Sequence, residues 1–301
     1  MPQIGSLSSA KEKDNGMKNL FRTLIFNGQV SLTIADTTAI VQEGISRHGL
    51  SPASAFTFGK ALSAMTFMSA CLKMETGEIS LAIKGNGEGG DIAVSGNRQL
   101  RIRGYIDNVN LSGAPNAESE RRALGNQTVL TIIRDDGYNR PFVGSCAIPN
   151  EGGMDEAFEE YYRISEQLPT RMKTLVELSK EGECLFAGVI VLQPLPFADK
   201  ATLKKVETAD LDNLLSVLKR DGLAACADCF EGEKEASEER KAAYKCNCSR
   251  RYLTRVLVSL GEEQMRAIIK EDGAVRVHCH YCNTDYEFTD EDADVLFREE
   301  K

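Results

Sequence analysis

Towards its C-terminal end the chain carries two closely spaced cysteine pairs, Cys246-Asn-Cys248 and Cys279-His-Tyr-Cys282, separated by thirty residues. No other feature constrains the fold of a segment so tightly. Zinc takes four soft ligands in a tetrahedron at about 2.3 Å, and cysteine pairs at two chain turns supply them if the intervening chain brings the turns together. The spacer reads as a unit that does this. Ser249 is placed to cap a helix carrying Leu253, Val256, Leu257 and Leu260 on one face, with Gly261 as its end. Met265, Ile268 and Ile269 mark a second short helix closed by Gly273, and Val275, Val277 and Cys279 then alternate as a strand, with Tyr286 and Phe288 on a returning one. The expected cofactor is Zn2+, held by Cys246, Cys248, Cys279 and Cys282.

His278 and His280 flank a proposed ligand, but four thiolates already complete the shell, so neither is expected to bind metal. Arg250, Arg251 and Arg255 raise the question of nucleic acid. Between Cys246 and Cys282 six basic residues face four acidic ones, a net charge of +2, which four thiolates and one zinc ion cancel. A phosphate-binding finger would be distinctly basic. These arginines are therefore expected to offset thiolate charge through contacts around the site.

The other cysteines read differently. Cys71, Cys146 and Cys184 stand alone among apolar neighbours and are expected to act as small hydrophobes. Cys226-Ala-Asp-Cys229 follows a helix end and precedes an acidic segment, without the strand and helix that frame a dithiol redox motif, so a bland or auxiliary role is expected. Nine cysteines with no apolar leader for export are read as reduced thiols and point to the cytoplasm. The net charge of -9 argues against general binding to nucleic acid or to anionic membranes. No apolar run reaches the roughly twenty residues of a membrane span.

The remainder reads as α+β, an N-terminal mixed α/β core followed by a helical linker and a small C-terminal four-cysteine zinc domain. The expected divisions are a polar leader at 1–16, the core at 17–196, a helical and acidic linker at 197–245 and the zinc unit at 246–301. Leu20 to Phe26 and Gln29 to Ile34 flank Asn27-Gly28, the best dipeptide for a tight hairpin turn. Helices are expected over Thr37 to Arg47 and Ser51 to Met74, the second buried. Strands are expected near 79–83, 92–94, 100–106, 129–133, 142–148 and 185–192, and a short helix near 154–164. After Pro196 a helix with Leu211, Leu214, Leu215 and Leu218 on one face should stop at Gly222, and the acidic stretch Glu231 to Ala243 should be mobile. Gly85, Gly87 and Gly90 have the spacing of a dinucleotide fingerprint, but Ile92 and Val94 continue as a strand where that fingerprint needs a helix, so a glycine-rich hairpin without nucleotide is expected.

With these residues in view, the sequence resembles the heat shock protein 33-kDa family of redox-regulated holdase chaperones. The likeness rests on Cys246-Asn-Cys248-Ser249-Arg250, the thirty-residue gap, and Cys279-His-Tyr-Cys282-Asn283 followed by Tyr286-Glu-Phe288. It extends to Gln29-Val30, Lys84-Gly85-Asn86-Gly87, Arg103-Gly104-Tyr105, Ser165-Glu166-Gln167 and Gln193-Pro194-Leu195-Pro196, in family order. The resemblance implies an ATP-independent chaperone, not an enzyme, that is quiescent when zinc-bound. It implies that oxidation forms the disulfides Cys246–Cys248 and Cys279–Cys282, releases zinc and unfolds the C-terminal part, so that unfolded client proteins bind, usually to a homodimer. The leader, Cys226 with Cys229, and the acidic Glu231 to Glu239 are departures from the family pattern.

Physical chemistry favours such a switch. A unit of about fifty residues buries too little to fold securely alone, while structural zinc supplies roughly 10 to 16 kcal/mol. Each oxidised sulfur is a lost ligand. The rival readings are a zinc hydrolase, a thiol-disulfide oxidoreductase and a zinc-containing adaptor for one folded partner. Catalytic zinc keeps a position open for water, which a four-cysteine site does not.

Overall fold

The computed structural model describes residues 17–148 and 152–298; the leader at 1–16 lies outside them. The first hairpin pairs β1 (Leu20–Ile25) with β2 (Val30–Asp36), and Gln29 N donates to Phe26 O with Asn27 and Gly28 both at positive φ, the primed turn expected of Asn-Gly. Helix α1 (Thr38–His48) follows, and then α2 (Pro52–Ala70), capped by Ser51, which accepts from Ser54 N. From Ala53 to Ala70 every residue except Phe56 is buried. A helix that is apolar all round belongs inside a protein. It ends four residues before Met74.

Strands β3 (Glu78–Lys84), β4 (Ile92–Asn97) and β5 (Arg101–Ile106), helix α3 (Ala117–Leu124), and strands β6 (Val129–Asp135) and β7 (Phe142–Ala147) come next. Helix α4 (Met154–Tyr161) runs into a π-turn at Tyr162–Glu166 and is followed by β8 (Arg171–Leu178) and β9 (Cys184–Pro194). Beyond these lie α5 (Lys200–Glu207), α6 (Leu211–Asp228), β10 (Glu235–Arg240) and β11 (Ala243–Tyr244). One sheet has the order β10-β1-β2-β9-β8, and the other β11-β5-β4-β3-β6-β7. Helix α2 packs against strands of both, which is why it carries small residues. A Cβ on Gly59 would lie 2.9 Å from Val41 and 3.1 Å from Val176.

One charge sits inside this core. Lys60 Nζ lies 2.9 Å from Glu120 Oε2 and 3.5 Å from Asp155 Oδ2, while Met154 N donates to Glu120 Oε1 at 2.7 Å, so one buried network ties α2, α3 and α4 together. Burial opposes the Lys60 charge, but Asp155 and Glu120 outweigh it and raise its pKa.

The five-stranded sheet is covered on both faces. Leu20 and Ala35 join the core around α2, whereas Ile25, Leu32, Ile34, Phe186, Ile190 and Leu192 meet Leu211, Leu214, Leu215 and Leu218 of α6. The leucine stripe thus has a definite partner. Gly222 breaks the leucine-striped helix as expected, with a non-helical φ of 85° and ψ of -175°, but a second helical stretch that the sequence does not announce runs on from it to Asp228. The acidic stretch also departs from expectation, because β10 pairs with β1, setting Glu238 opposite Arg22 and Glu239 opposite Phe21. Its ladder is made by backbone groups, which need no apolar side chains. The glycine loop is a hairpin between β3 and β4, with no helix at its end. A Cβ on Gly87 would fall 2.1 Å from Ala123 O, so the glycines admit the C-terminal end of α3.

The C-terminal module comprises α7 (Arg250–Leu260), α8 (Glu262–Asp272), the hairpin β12 (Val275–Cys279) and β13 (Thr284–Phe288), and α9 (Asp290–Arg298). Its buried core is small: Leu257, Met265, Val275, Phe288, Ala293 and Phe297. Val256 and Leu260, assigned to the α7 apolar face, are 47% and 40% exposed, so half that face remains open.

Candidate metal centre

The two cysteine pairs arrive from different directions. Lys245 N donates to Ile102 O, placing Cys246 and Cys248 at the edge of the six-stranded sheet, and Ser249 then caps α7 by accepting from Tyr252 N at 3.1 Å. Cys279 ends β12, and Cys282 N returns to Cys279 O at 3.2 Å, closing a turn whose last step is Asn283 at φ 51°. The β12–β13 register opposes Cys279 to Thr284, so the hairpin itself aims this pair at the first.

The four sulfur atoms lie within 4.8 Å of one another. Cys246 Sγ is 3.7 Å from Cys279 Sγ, and Cys248 Sγ is 3.2 Å from Cys282 Sγ. A zinc tetrahedron with 2.3 Å bonds has edges of roughly 3.8 Å, so this donor set fits the metal with small adjustments. Burial, and then the neighbouring thiols, push the Cys279 thiol up. Four ionised sulfurs at this spacing call for a cation among them.

Among the described residues no other group of three or more ligating side chains lies this close together. His278 Nδ1 is engaged by Asp285 at 2.7 Å, and the His280 ring lies against Tyr105, 5.8 Å between centroids. Cys226 is buried in the α6 cluster, its thiol donating to Leu214 O and pushed up to about 12 by burial. Cys229 is exposed. Cys146 and Cys184 are raised by burial to about 11 and about 12, as inert apolar thiols should be.

Two of the arginines expected around the sulfurs, Arg250 and Arg255, are engaged elsewhere. Arg250 spends its guanidinium on Glu287 O and Asp292 and stacks over Phe288, while Arg255 lies over Tyr252. The guanidinium that reaches a thiol is Arg103, from β5 of the core, with Nη1 3.9 Å from Cys246 Sγ and its plane over the Tyr281 ring. Two other contributors escaped the sequence reading: Tyr286 Oη is 3.3 Å from Cys248 Sγ, and Thr284 Oγ1 is 3.3 Å from Cys282 Sγ. The alternation that placed Tyr286 on a strand carried no signal about its hydroxyl.

The cluster sits in a seam. Tyr281, between the two later cysteines, packs edge-on against Tyr105, and its carbonyl oxygen is 2.5 Å from the Tyr244 hydroxyl. That hydroxyl also lies 2.9 Å from Gly104 O and 3.1 Å from His48 Nε2, and Asn283 Nδ2 donates to Arg47 O. The metal-competent turn is thus also the part of the module that touches the core.

The Hsp33 protein family model matches residues 18–289. The 33 kDa chaperonin of Bacillus licheniformis is 31% identical over 288 residues, covering 93% of this chain and 99% of the relative. The protein of the same name from Clostridium novyi is 31% identical over 290 residues, covering 93% and 97%. In fold, the chain is similar to the crystal structure of the 33 kDa chaperonin of Thermotoga maritima, with a TM-score of 0.79 at 24% identity and coverage of 94% of this chain and 99% of that one.

Proposed function

The chain belongs to the Hsp33 protein family, and on that premise we propose that it is an ATP-independent holdase, switched on by oxidation, that binds unfolding proteins. Cys246, Cys248, Cys279 and Cys282 hold Zn2+ in the quiescent form. Zinc, when bound, supplies a cross-link between two chain turns that the small apolar core of the module does not supply.

The observation that carries this reading is the place of the sulfurs at the seam with the core. When an oxidant such as peroxide takes two electrons from a pair of thiolates, the two sulfurs join in a disulfide, the peroxide takes up two protons and leaves as two waters, and two donors to the metal are lost. The Cys279–Cys282 turn then has no reason to keep Tyr281 against Tyr105 and Tyr244. Lys245, Tyr244 and β10 lie directly upstream, so the loosening passes back along the chain towards α6. Departure of α6 uncovers Leu32, Ile34, Phe186, Ile190 and Leu192, an apolar sheet face suited to unfolded clients. A homodimer is the expected oxidised form. The same reading makes the chain a binding protein rather than an enzyme. It places the chain in the cytoplasm, in keeping with nine unpaired cysteines and with the lack, among the described residues, of a helix long and apolar enough to cross a membrane.

Metal analysis of serine variants tests the ligand set. Cys279→Ser is expected to lose stoichiometric zinc, whereas Cys226→Ser keeps it, because its thiol is spent on Leu214 O in another cluster. Undiminished zinc in Cys279→Ser would contradict the assignment.

The order of oxidation tests the pairing. The family resemblance gives Cys246–Cys248 and Cys279–Cys282, and a bond across one intervening residue departs from relaxed disulfide geometry. Peroxide alone should therefore give Cys279–Cys282 first, and peroxide with mild heat both. The cross pairs Cys246–Cys279 and Cys248–Cys282 are also close, at 3.7 Å and 3.2 Å, and their dominance in disulfide maps would overturn this order.

A further inference from the structure

Where β10 lies along β1, three arginines from distant parts of the chain meet. Arg22 is on β1, Arg240 ends β10, and Arg98 lies in the turn between β4 and β5. Arg240 Nη2 donates to the Arg98 carbonyl oxygen. Arg22 donates to Ala70 O and Ser31 Oγ. Two carboxylates are near. Glu238 Oε1 is shared at 3.7 Å from Arg98 Nη2 and 3.5 Å from Arg240 Nε, long distances for both, while Glu75 Oε2 accepts from Gln99. Three positive charges thus face two negative ones.

Among the described residues, four buried side-chain nitrogen or oxygen atoms have no hydrogen-bond partner, and three of them are here: Arg98 Nε, Arg98 Nη1 and Arg240 Nη1. Buried donors are ordinarily paired, so such a concentration at one place asks for an acceptor. Burial, and then the neighbouring Arg98 charge, lower the pKa of Arg240, against the opposing pull of Glu238 and Glu75.

We propose that Arg22, Arg98 and Arg240 form a binding site for phosphate at the seam between β10 and the core. A guanidinium matches the oxygens of an oxyanion, and charged hydrogen bonds of this kind are the strong ones. The unpaired donors belong to two separate guanidinium groups. A tetrahedral ion presents oxygens to both at once, whereas acetate has one edge to offer. Because Arg98 belongs to the core and Arg240 to β10, phosphate bridging them favours the docked segment and opposes its release, by binding linkage.

Calorimetry on the reduced, zinc-loaded full chain decides this, with inorganic phosphate titrated at fixed ionic strength and acetate and chloride run in parallel. One saturable phosphate site is expected, weakened about tenfold or more in Arg98→Gln and tightened about tenfold in Glu238→Gln, which removes the competing carboxylate. If Arg98→Gln does not fold, Glu238→Gln decides alone, since its side chain is 43% exposed and it leaves all three arginines in place. No saturable heat in the wild type, equal binding of acetate, unchanged affinity in folded Arg98→Gln, or unchanged or weaker affinity in Glu238→Gln would each overturn the proposal.

Discussion

Cys282→Ser is expected to leave the segment from Cys246 to the C-terminus unfolded while the core around α2 remains native. Cys282 is the one buried member of the sulfur cluster, and a structural zinc site contributes roughly 10 to 16 kcal/mol, far more than a module of this size holds in reserve. The six buried apolar residues of the module, each worth roughly 1.5 to 3 kcal/mol, do not exceed the chain entropy of some fifty ordered residues. The core has its own cluster, in which α2 is enclosed by two sheets, and does not depend on the metal. Hydrogen exchange separates the two parts. Amides of α7, α8, β12 and β13 should exchange as an unfolded chain in Cys282→Ser or after chelation, with α2, β2 and β9 protected as in the wild type. Protection of α7 and α8 without zinc would contradict the account.

The second large effect is expected at the linker. Leu215 and Leu218 are 1% and 2% exposed on the face of α6 that covers Leu32, Ile34, Ile190 and Leu192. Truncating one such leucine costs about 2 to 5 kcal/mol, and the pair shares one surface, so Leu215→Ala with Leu218→Ala should remove most of the docking energy of α6. The sheet beneath keeps its ladder and its other face on α2. The double variant should therefore retain zinc and still suppress client aggregation while fully reduced, at a substantial fraction of the oxidised wild-type level. Limited proteolysis should cut within α6 at rates the wild type reaches only after oxidation. A variant with loosened α6 and no activity when reduced would show that the covered sheet face is not the client surface.

Much of this was legible from residue spacing. The hairpin at Asn27-Gly28, the buried helix after Ser51 and the gathering of four cysteines follow from rules that act within a few residues or through a metal's own geometry. Helix α3 escaped because its core-facing set is only Ser119, Glu120, Ala123 and Leu124, although Asn116 caps it by accepting from Glu118 N and Ser119 N. Strand β8 lies where no strand is expected, although Met172, Thr174 and Val176 alternate inward. The acidic β10 had no apolar signal at all. It is held by backbone pairing, by the Arg22 and Glu238 register, and by Thr23 Oγ1 lying 2.9 Å from Ser237 Oγ, all of which depend on residues more than two hundred positions away. For the same reason the site's arginine was misplaced. Arg103 is distant in sequence and reaches Cys246 only because β11 lies beside β5, whereas the nearby Arg250 is drawn off by Asp292 and Glu287.

Light scattering of two chemically unrelated unfolding proteins, followed without ATP, tests the central claim most directly. The chain is added first reduced and zinc-loaded, and then after oxidation with its disulfides mapped and its zinc release measured on the same sample. Suppression of both aggregations near stoichiometric amounts by the oxidised chain, and little by the reduced one, is the predicted result. Equal protection by the reduced, zinc-loaded chain, or none after complete oxidation and zinc loss, would contradict it.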